Sequence, residues 1–425
     1  DQILRLKVIK FLVDNFGSFR TIAAGGSITG MYITIAGLFT SRFAIALGMI
    51  VMGSASLLNA FHFSRKDLLS SFSRNKLTFA SSIFLLLSVV TSFIGSEETG
   101  FAMIRFRLYI GFLLIPLILM FSPQLKISHY KNYLLYALSS ALIVSILIVL
   151  VYFNDYTAIS KALDGGQPIP TPIPHIRFGM FMSLTFIGCL YALLNGFYSG
   201  ASRKFLLMGI PILFFSIVFL SIRTAWLVTA IGTMSILLYD TIKTKNYKIL
   251  VAASLVLLIT AFGSYRLIPS VNTKVNYMVW DWNQYKSGNG QTYSDSERGY
   301  SLINGLDLWK QNFLLGVGSG DMDSSLAKNA IKLNLPVSKI PHNQFLLTAV
   351  CGGMLSLIFL LLGLVTPLLN PSNRKSFPLL LMMLLYFITM IFEPTFETSI
   401  GVLSYVFLIS LILKNIRHFA LIRDK

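Results

Sequence analysis

Long apolar runs separated by short polar turns fill most of this 425-residue chain. Crossing a bilayer as a helix takes roughly 20 apolar residues. Twelve runs qualify, at 21–38, 41–60, 77–94, 104–121, 132–153, 176–194, 205–221, 224–240, 249–267, 343–367, 378–392 and 400–414. Their apolar positions are continuous rather than alternating, which predicts helices and not strands. The run 21–38 is the weakest, being rich in Gly, Ser and Thr, and the two runs meeting near 222 leave almost no turn. A single polar island interrupts the pattern. It covers 266–341 and ends in Pro341-His342-Asn343-Gln344, where the next run begins. The predicted organisation is nine spans in 1–265, one large loop over 266–341, and three spans in 342–425. Residues 1–20 alternate apolar and basic positions and predict an amphipathic helix lying on the membrane surface. The chain opens on Asp1 rather than methionine, as a trimmed chain would, and no cleavable signal peptide is evident.

Composition agrees with an integral membrane protein. Hydrophobic residues make up 55% and charged residues only 12%. Mean hydropathy is +0.71, well above a soluble domain. Basic residues orient the spans. With a cytoplasmic N-terminus, 21 of the 35 Lys and Arg fall in inner segments, eight in the island and six in the short outer loops. Both termini are then cytoplasmic and the island faces out. The net charge of +18 is thus a topology signal. It gives no support for nucleic-acid binding, because the basic residues are dispersed among inner loops. Cys189 and Cys351 both fall in apolar runs, so no disulfide framework is expected. No Asp, Glu, Lys or Arg lies near the middle of a span, and no internal repeat is visible. Ion-coupled carriers usually keep such residues at mid-membrane. The charges in spans sit at outer ends instead: Arg42, Arg105, Arg107, Arg177 and Arg223. That placement favours a reaction at the outer surface over a translocation path.

His175 and His342 are the two external histidines, and each follows Ile-Pro at the start of a span. The positive end of a helix dipole disfavours a protonated imidazole, so either is placed to act as a neutral general base. Position alone leaves the other role open, an interfacial histidine that caps a helix. Arg223 lies in Ser221-Ile222-Arg223-Thr224-Ala225-Trp226 with no polar loop to solvate it. It either snorkels to headgroups or pairs with an anion such as pyrophosphate. Within the island, 296–313 predicts an amphipathic helix with Tyr300, Ile303, Leu306, Trp309 and Phe313 on its apolar face. Ser294, Asp295 or Ser296 is its expected cap. Arg298 in the first turn opposes the dipole, which points to a distant partner or to a plain exposed charge. Gly316, Gly318 and Gly320 predict a turn rather than a phosphate loop. Asp321 and Asp323 are read as helix-start acids and not as a metal pair; Glu97, Glu98, Glu393 and Glu397 are read as solvated loop acids, with a base or metal role left open. Trp280, Trp282, Tyr285 and Tyr293 suit either sugar stacking or an interfacial belt.

Taken together, Arg298, Trp309, Leu315-Gly316-Val317-Gly318, Pro341-His342-Asn343-Gln344-Phe345-Leu346 and Gly352-Gly353 resemble the signature of the bacterial O-antigen ligase and polymerase superfamily. The stretch around Arg223 resembles that family's arginine-bearing external turn. The resemblance covers the multi-span topology and is concentrated in 219–226 and 296–353. It implies an all-α integral membrane fold, glycosyltransferase-C-like, with a large helical periplasmic loop. It also implies a multi-pass enzyme of the bacterial inner membrane whose active site faces the periplasm. The implied reaction is inverting, metal-independent and free of cofactors. A glycan leaves undecaprenyl pyrophosphate and is joined to lipid A-core oligosaccharide. By position His342 would deprotonate the acceptor, while Arg223 and Arg298 would bind pyrophosphate in the same pocket. Arg177, His175 and Asn343 are secondary candidates. Partners are the lipid-linked donor, the lipid A-core acceptor and membrane lipids, with no nucleic acid. Two departures stand out. Val350 occupies a position where relatives often carry an acid, and no outer-loop arginine is followed by glycine after fifteen intervening residues, a pattern associated with some polymerases. The first leaves that acid's role unfilled; the second favours a ligase over a polymerase. A protein O-oligosaccharyltransferase is separated from these only by its acceptor, and the transporter reading ranks last.

Overall fold

The structure is a computed structural model that describes residues 2–414 apart from 62, 291–292 and 337, and side chains from 21 onward apart from those of 249, 253 and 257. The side-chain pattern of 1–20, His62 and His418 lie outside the described residues. The first half comprises α1 (Gln2–Thr40), α2 (Arg42–Ala60), α3 (Arg65–Val90), α4 (Thr99–Tyr109), α5 (Gly111–Phe121), α6 (Ile127–Asn154), α7 (Tyr156–Asp164), α8 (His175–Leu194), α9 (Gly200–Phe219) and α10 (Arg223–Thr244). Then follow α11 (Tyr247–Leu267), α12 (Pro269–Lys286), α13 (Ser294–Gln311), α14 (Met322–Lys332), α15 (Gln344–Val365), α16 (Pro371–Arg374), α17 (Phe377–Phe392) and α18 (Ser399–Lys414). No strand occurs among the described residues.

Among the described residues, ten helical segments are long and apolar enough to cross a membrane, and the shorter Phe377–Phe392 and Ser399–Lys414 are apolar as well. These twelve coincide with the twelve runs read from the sequence. The span expected at 104–121 begins at Thr99 and is broken at Ile110, which ends α4 and opens α5. The weak run at 21–38 owes its small residues to packing. A Cβ at Gly30 would lie 2.7 Å from the Gly48 carbonyl oxygen, and one at Gly37 would lie 2.5 Å from the Ile45 amide nitrogen. Small residues let the backbones of α1 and α2 approach directly, a common membrane-helix solution. Elsewhere hydroxyls stitch helices together. Ser81 donates to the Gly363 carbonyl at 2.6 Å, tying α3 to α15, and Ser183 donates to the Ala225 carbonyl at 3.0 Å, tying α8 to α10.

The island is helical and is bound to the bundle through a break in α15. Gly352 and Gly353 leave helical geometry, Gly353 with φ +65. Broken backbone inside a membrane helix needs substitute partners. The segment after α13 supplies them. Val317 and Gly318 donate to the carbonyls of Val350 and Cys351 (2.9 Å each), and Met354 donates to the Phe313 carbonyl (2.8 Å). The glycine-rich stretch is therefore the predicted turn, with a docking role added. A Cβ on Gly353 would lie 2.2 Å from the Leu314 carbonyl carbon. Gly353→Val is expected to destabilise the protein by about 2–4 kcal/mol, through a left-handed β-branched residue and a lost dock. Thermal unfolding of the purified variant in detergent measures this, and a melting midpoint equal to wild type would contradict it.

Two expectations for the island helix are corrected. It runs over Ser294–Gln311 and buries Ser296, Ser301, Asn304, Gly305 and Leu308. The predicted apolar face is largely outside: Ile303, Leu306 and Phe313 are 43–46% exposed. The packed side is chosen by close approach and amide bonding, not by apolarity. Gly305 meets Pro341 and Leu346, and Asn304 exchanges hydrogen bonds with Asn329 and Leu326 across to α14. Trp309 is half-buried and stacks on Phe313.

Candidate active site

The first turn of α13 is the hub at which distant segments meet. It is capped by none of the three nominated residues. Asp281 on α12, fully buried, accepts from the amides of Asp295 (2.5 Å) and Ser296 (3.3 Å) and from the Ser296 hydroxyl. This leaves Ser294 and Asp295 free to face α10. Asp295 pairs with Arg223, and the Ser294 hydroxyl accepts from Arg223 Nη2 at 2.8 Å. One turn further along α13, Arg298 Nη2 lies 2.5 Å from Glu393 Oε1. The other oxygen of Glu393 lies 3.6 Å from His342 Nδ1. A relay of contacts thus runs Arg223–Asp295 to Arg298–Glu393–His342. Of the two readings left open for Arg298, the structure shows the distant partner and not the plain exposed charge, and the three lead candidates share one end of the bundle.

Glu393 corrects the reading of a solvated loop acid. It is 4% exposed and follows α17 directly. Burial, the largest single influence, works against its charge. The facing His342 and the positive charges of Arg298 and Arg177 together outweigh burial and hold the carboxyl below its ordinary pKa. Glu397 is likewise engaged, accepting from Arg105 Nε at 3.2 Å. Sequence reasoning missed Glu393 because short inter-span turns usually carry solvated acids. The missed signal was the pairing of Glu393 and Glu397 on the face that also holds Arg223 and His342.

Two secondary candidates make bracing contacts within the protein. Arg177 is 5% exposed and donates from Nη2 to the Pro394 carbonyl at 3.0 Å, bracing the turn that carries Glu393. Asn343 is the N-cap of α15: its Oδ1 accepts from the Leu346 amide at 2.8 Å and its Nδ2 donates to the Ile391 carbonyl at 3.0 Å. With both ends of the amide occupied, Asn343 fixes where His342 sits. His175 stands at the start of α8, half-buried, with Glu393, Lys274, Arg298 and Arg223 as its charged neighbours. Asp321 accepts from the Glu97 and Glu98 amides (2.6 and 3.2 Å), so it pins the 95–98 turn to the island.

Lys274 on α12 is a further cation of the cluster that the sequence did not single out. Its Nζ donates to the Gly166 carbonyl at 3.0 Å. Burial and then the charge of Arg223 lower its pKa; Arg298 adds to this, and Asp295 and Asp281 oppose it. A lysine loses its charge as pH rises through its pKa, so this one discharges earlier than usual. Binding of inorganic pyrophosphate is expected to weaken about three- to tenfold as pH rises from about 7 to about 10. Lys274→Arg should flatten that profile. Isothermal titration across pH decides it, and a wild-type profile already flat would refute a role for Lys274.

Fold and site together define an all-helical multi-pass membrane protein. It carries a cation cluster and a histidine–carboxylate pair at one end of its bundle. Residues 208–361 match the family model described as O-antigen ligase, and this match supports the O-antigen ligase superfamily. That family suggests a glycosyltransferase-like enzyme and lipid-linked glycan substrates. The matched segment contains Arg223, Lys274, Arg298 and His342, whereas His175, Arg177 and Glu393 lie outside it. No curated protein matches the chain significantly.

Proposed function

We propose that this protein is an O-antigen ligase that transfers a glycan from undecaprenyl pyrophosphate to lipid A-core oligosaccharide. The contact series Arg223–Asp295 and Arg298–Glu393–His342 is the observation that carries the reading. His342 is 27% exposed and presents Nδ1 to Glu393. The neutral tautomer with Nδ1–H toward the carboxylate leaves Nε2 as the base. Nε2 takes the proton of an acceptor hydroxyl, and that oxygen attacks the anomeric carbon of the donor. The new glycosidic bond forms as the bond to the pyrophosphate oxygen breaks, so configuration inverts. Charge then develops on the pyrophosphate, where Arg223, Arg298 and Lys274 stabilise it. These roles need no metal or cofactor. In this reading the site faces the periplasm, both termini are cytoplasmic and the protein resides in the bacterial inner membrane. The concentration of Lys and Arg in the opposite loops supports that orientation.

The test is transfer by purified protein in vesicles, with undecaprenyl-pyrophosphate glycan and lipid A-core, with and without a chelator. A covalent glycan–core product, unaffected by chelator, is expected. Elongation of a second lipid-linked glycan with no product on core would establish a polymerase instead, and transfer to protein hydroxyls an O-oligosaccharyltransferase.

A further inference from the structure

Beside the cation cluster lies a cavity of about 570 Å³ that the proposed chemistry leaves unused. One wall is Ser41 and Arg42, at the turn between α1 and α2; the other is the stretch 168–175. Pro168, Pro170, Pro172 and Pro174 alternate along that wall. Proline fixes φ and lacks an amide donor, so the wall is stiff and offers few groups to bind an anion. Arg42 is the exception. It is the first residue of α2, it is exposed, and no carboxylate pairs with it among the described residues. An unpaired cation at the positive end of a helix is unfavourable without an anion nearby. Phe43 beside it is 75% exposed, and Leu47 and Ile50 of the same helix are exposed as well. Arg42 opens a helix long and apolar enough to cross a membrane, and the ends of such helices lie near the headgroups.

His175 joins this groove to the active site. It lines the cavity, and its charged neighbours are Glu393, Lys274, Arg298 and Arg223. Helix α8, which His175 opens, packs against both α1 and α10. Arg42 opens α2 just past the end of α1, and Arg223 opens α10, so each stands next to a helix that α8 contacts. A transferase joining two lipid-anchored substrates needs two separate anion-binding positions.

We infer that the Arg42 groove seats the phosphorylated saccharide of the acceptor glycolipid. Arg42 takes an acceptor phosphate, and the acceptor hydroxyl is directed past His175 toward His342. This rests on the ligase reading, in which the pyrophosphate-linked donor occupies the Arg223 side.

Binding tests the groove without requiring turnover. Protein in phosphatidylcholine nanodiscs is titrated with lipid A-core and with the same glycolipid after phosphatase treatment. Wild type is expected to bind the phosphorylated form about tenfold more tightly, as one charge-assisted phosphate contact provides. Arg42→Gln should erase that preference, Arg42→Lys should keep part of it, and neither should change pyrophosphate binding. Three results would overturn the inference: an Arg42→Gln variant that keeps the preference, one that weakens both forms equally, or a wild-type preference abolished by adding phosphatidylglycerol to the discs. The last would show that Arg42 binds bulk anionic headgroups. A wild-type protein that shows the Arg42-dependent preference yet transfers nothing would refute the ligase reading and leave the groove standing.

Discussion

Alanine in place of His342 is expected to lower glycan transfer by about two to four orders of magnitude, the usual worth of a positioned general base. Donor binding should survive, because His342 faces Glu393, and Arg223 and Arg298 keep their own acidic partners. The partner variant, Glu393→Gln, keeps size but removes the charge that faces His342 Nδ1. An amide that donates toward Nδ1 would turn the wrong nitrogen outward, so a loss of about 10- to 1,000-fold is expected. Residues acting as one unit are not additive. The double variant should be no slower than His342→Ala alone. Initial rates with saturating donor decide the matter. Full activity in His342→Ala would remove the base, and strictly multiplicative losses would separate Glu393 from it. Glu393→Ala is the poorer probe. It leaves Arg298 and Arg177 without their buried carboxylate, and breaking such a pair costs about 3–5 kcal/mol of stability.

The second large effect concerns the arginines. Arg223→Gln combined with Arg298→Gln should weaken pyrophosphate-donor binding by about 100- to 10,000-fold, if each charged contact contributes about 1.5–3 kcal/mol. Both side chains are partly exposed, 20% for Arg223 and 25% for Arg298, so each has surface to offer a ligand beyond its acidic partner. Lysine at either position keeps the charge but loses the planar fork, and should recover only part of the affinity. Size-exclusion profiles matched to wild type show that the fold survives. Donor affinity within threefold of wild type in the double variant would end the pyrophosphate assignment. A change confined to the turnover rate, with donor affinity intact, would move both arginines from donor binding to transition-state stabilisation.

Much of the site was legible because its lead residues break local rules. Arg223 has no polar loop around it, Arg298 opposes a helix dipole, and His342 follows proline at a helix start. Each anomaly implies a partner supplied from elsewhere. The partners themselves were not legible. Asp295 was read as a helix cap, and only the fold shows Asp281 doing the capping so that Asp295 can hold Arg223. Glu393 was read as solvated because nothing in Phe392-Glu393-Pro394 distinguishes a buried turn from an exposed one. Lys274 looked like any loop lysine until α12 set it among Arg223, Arg298 and Asp281. For Asn343 and Arg177, only the fold shows the hydrogen bonds to Ile391 and Pro394 that brace the turns around His342 and Glu393.

By itself, the sequence determined the twelve apolar helices, the uneven distribution of basic loops and the presence of one polar island. Those properties depend on local composition and on the length needed to cross a bilayer. Tertiary structure alone decided which face of α13 is packed, where the island docks and which acid meets which base. Contacts such as Gly353 against Leu314, or Arg298 with Glu393 across 95 positions, arise from backbone approach between segments far apart in the chain. A periodic apolar pattern carries no record of such approaches, because a carboxylate buried by a neighbouring helix and one left in water have the same local sequence.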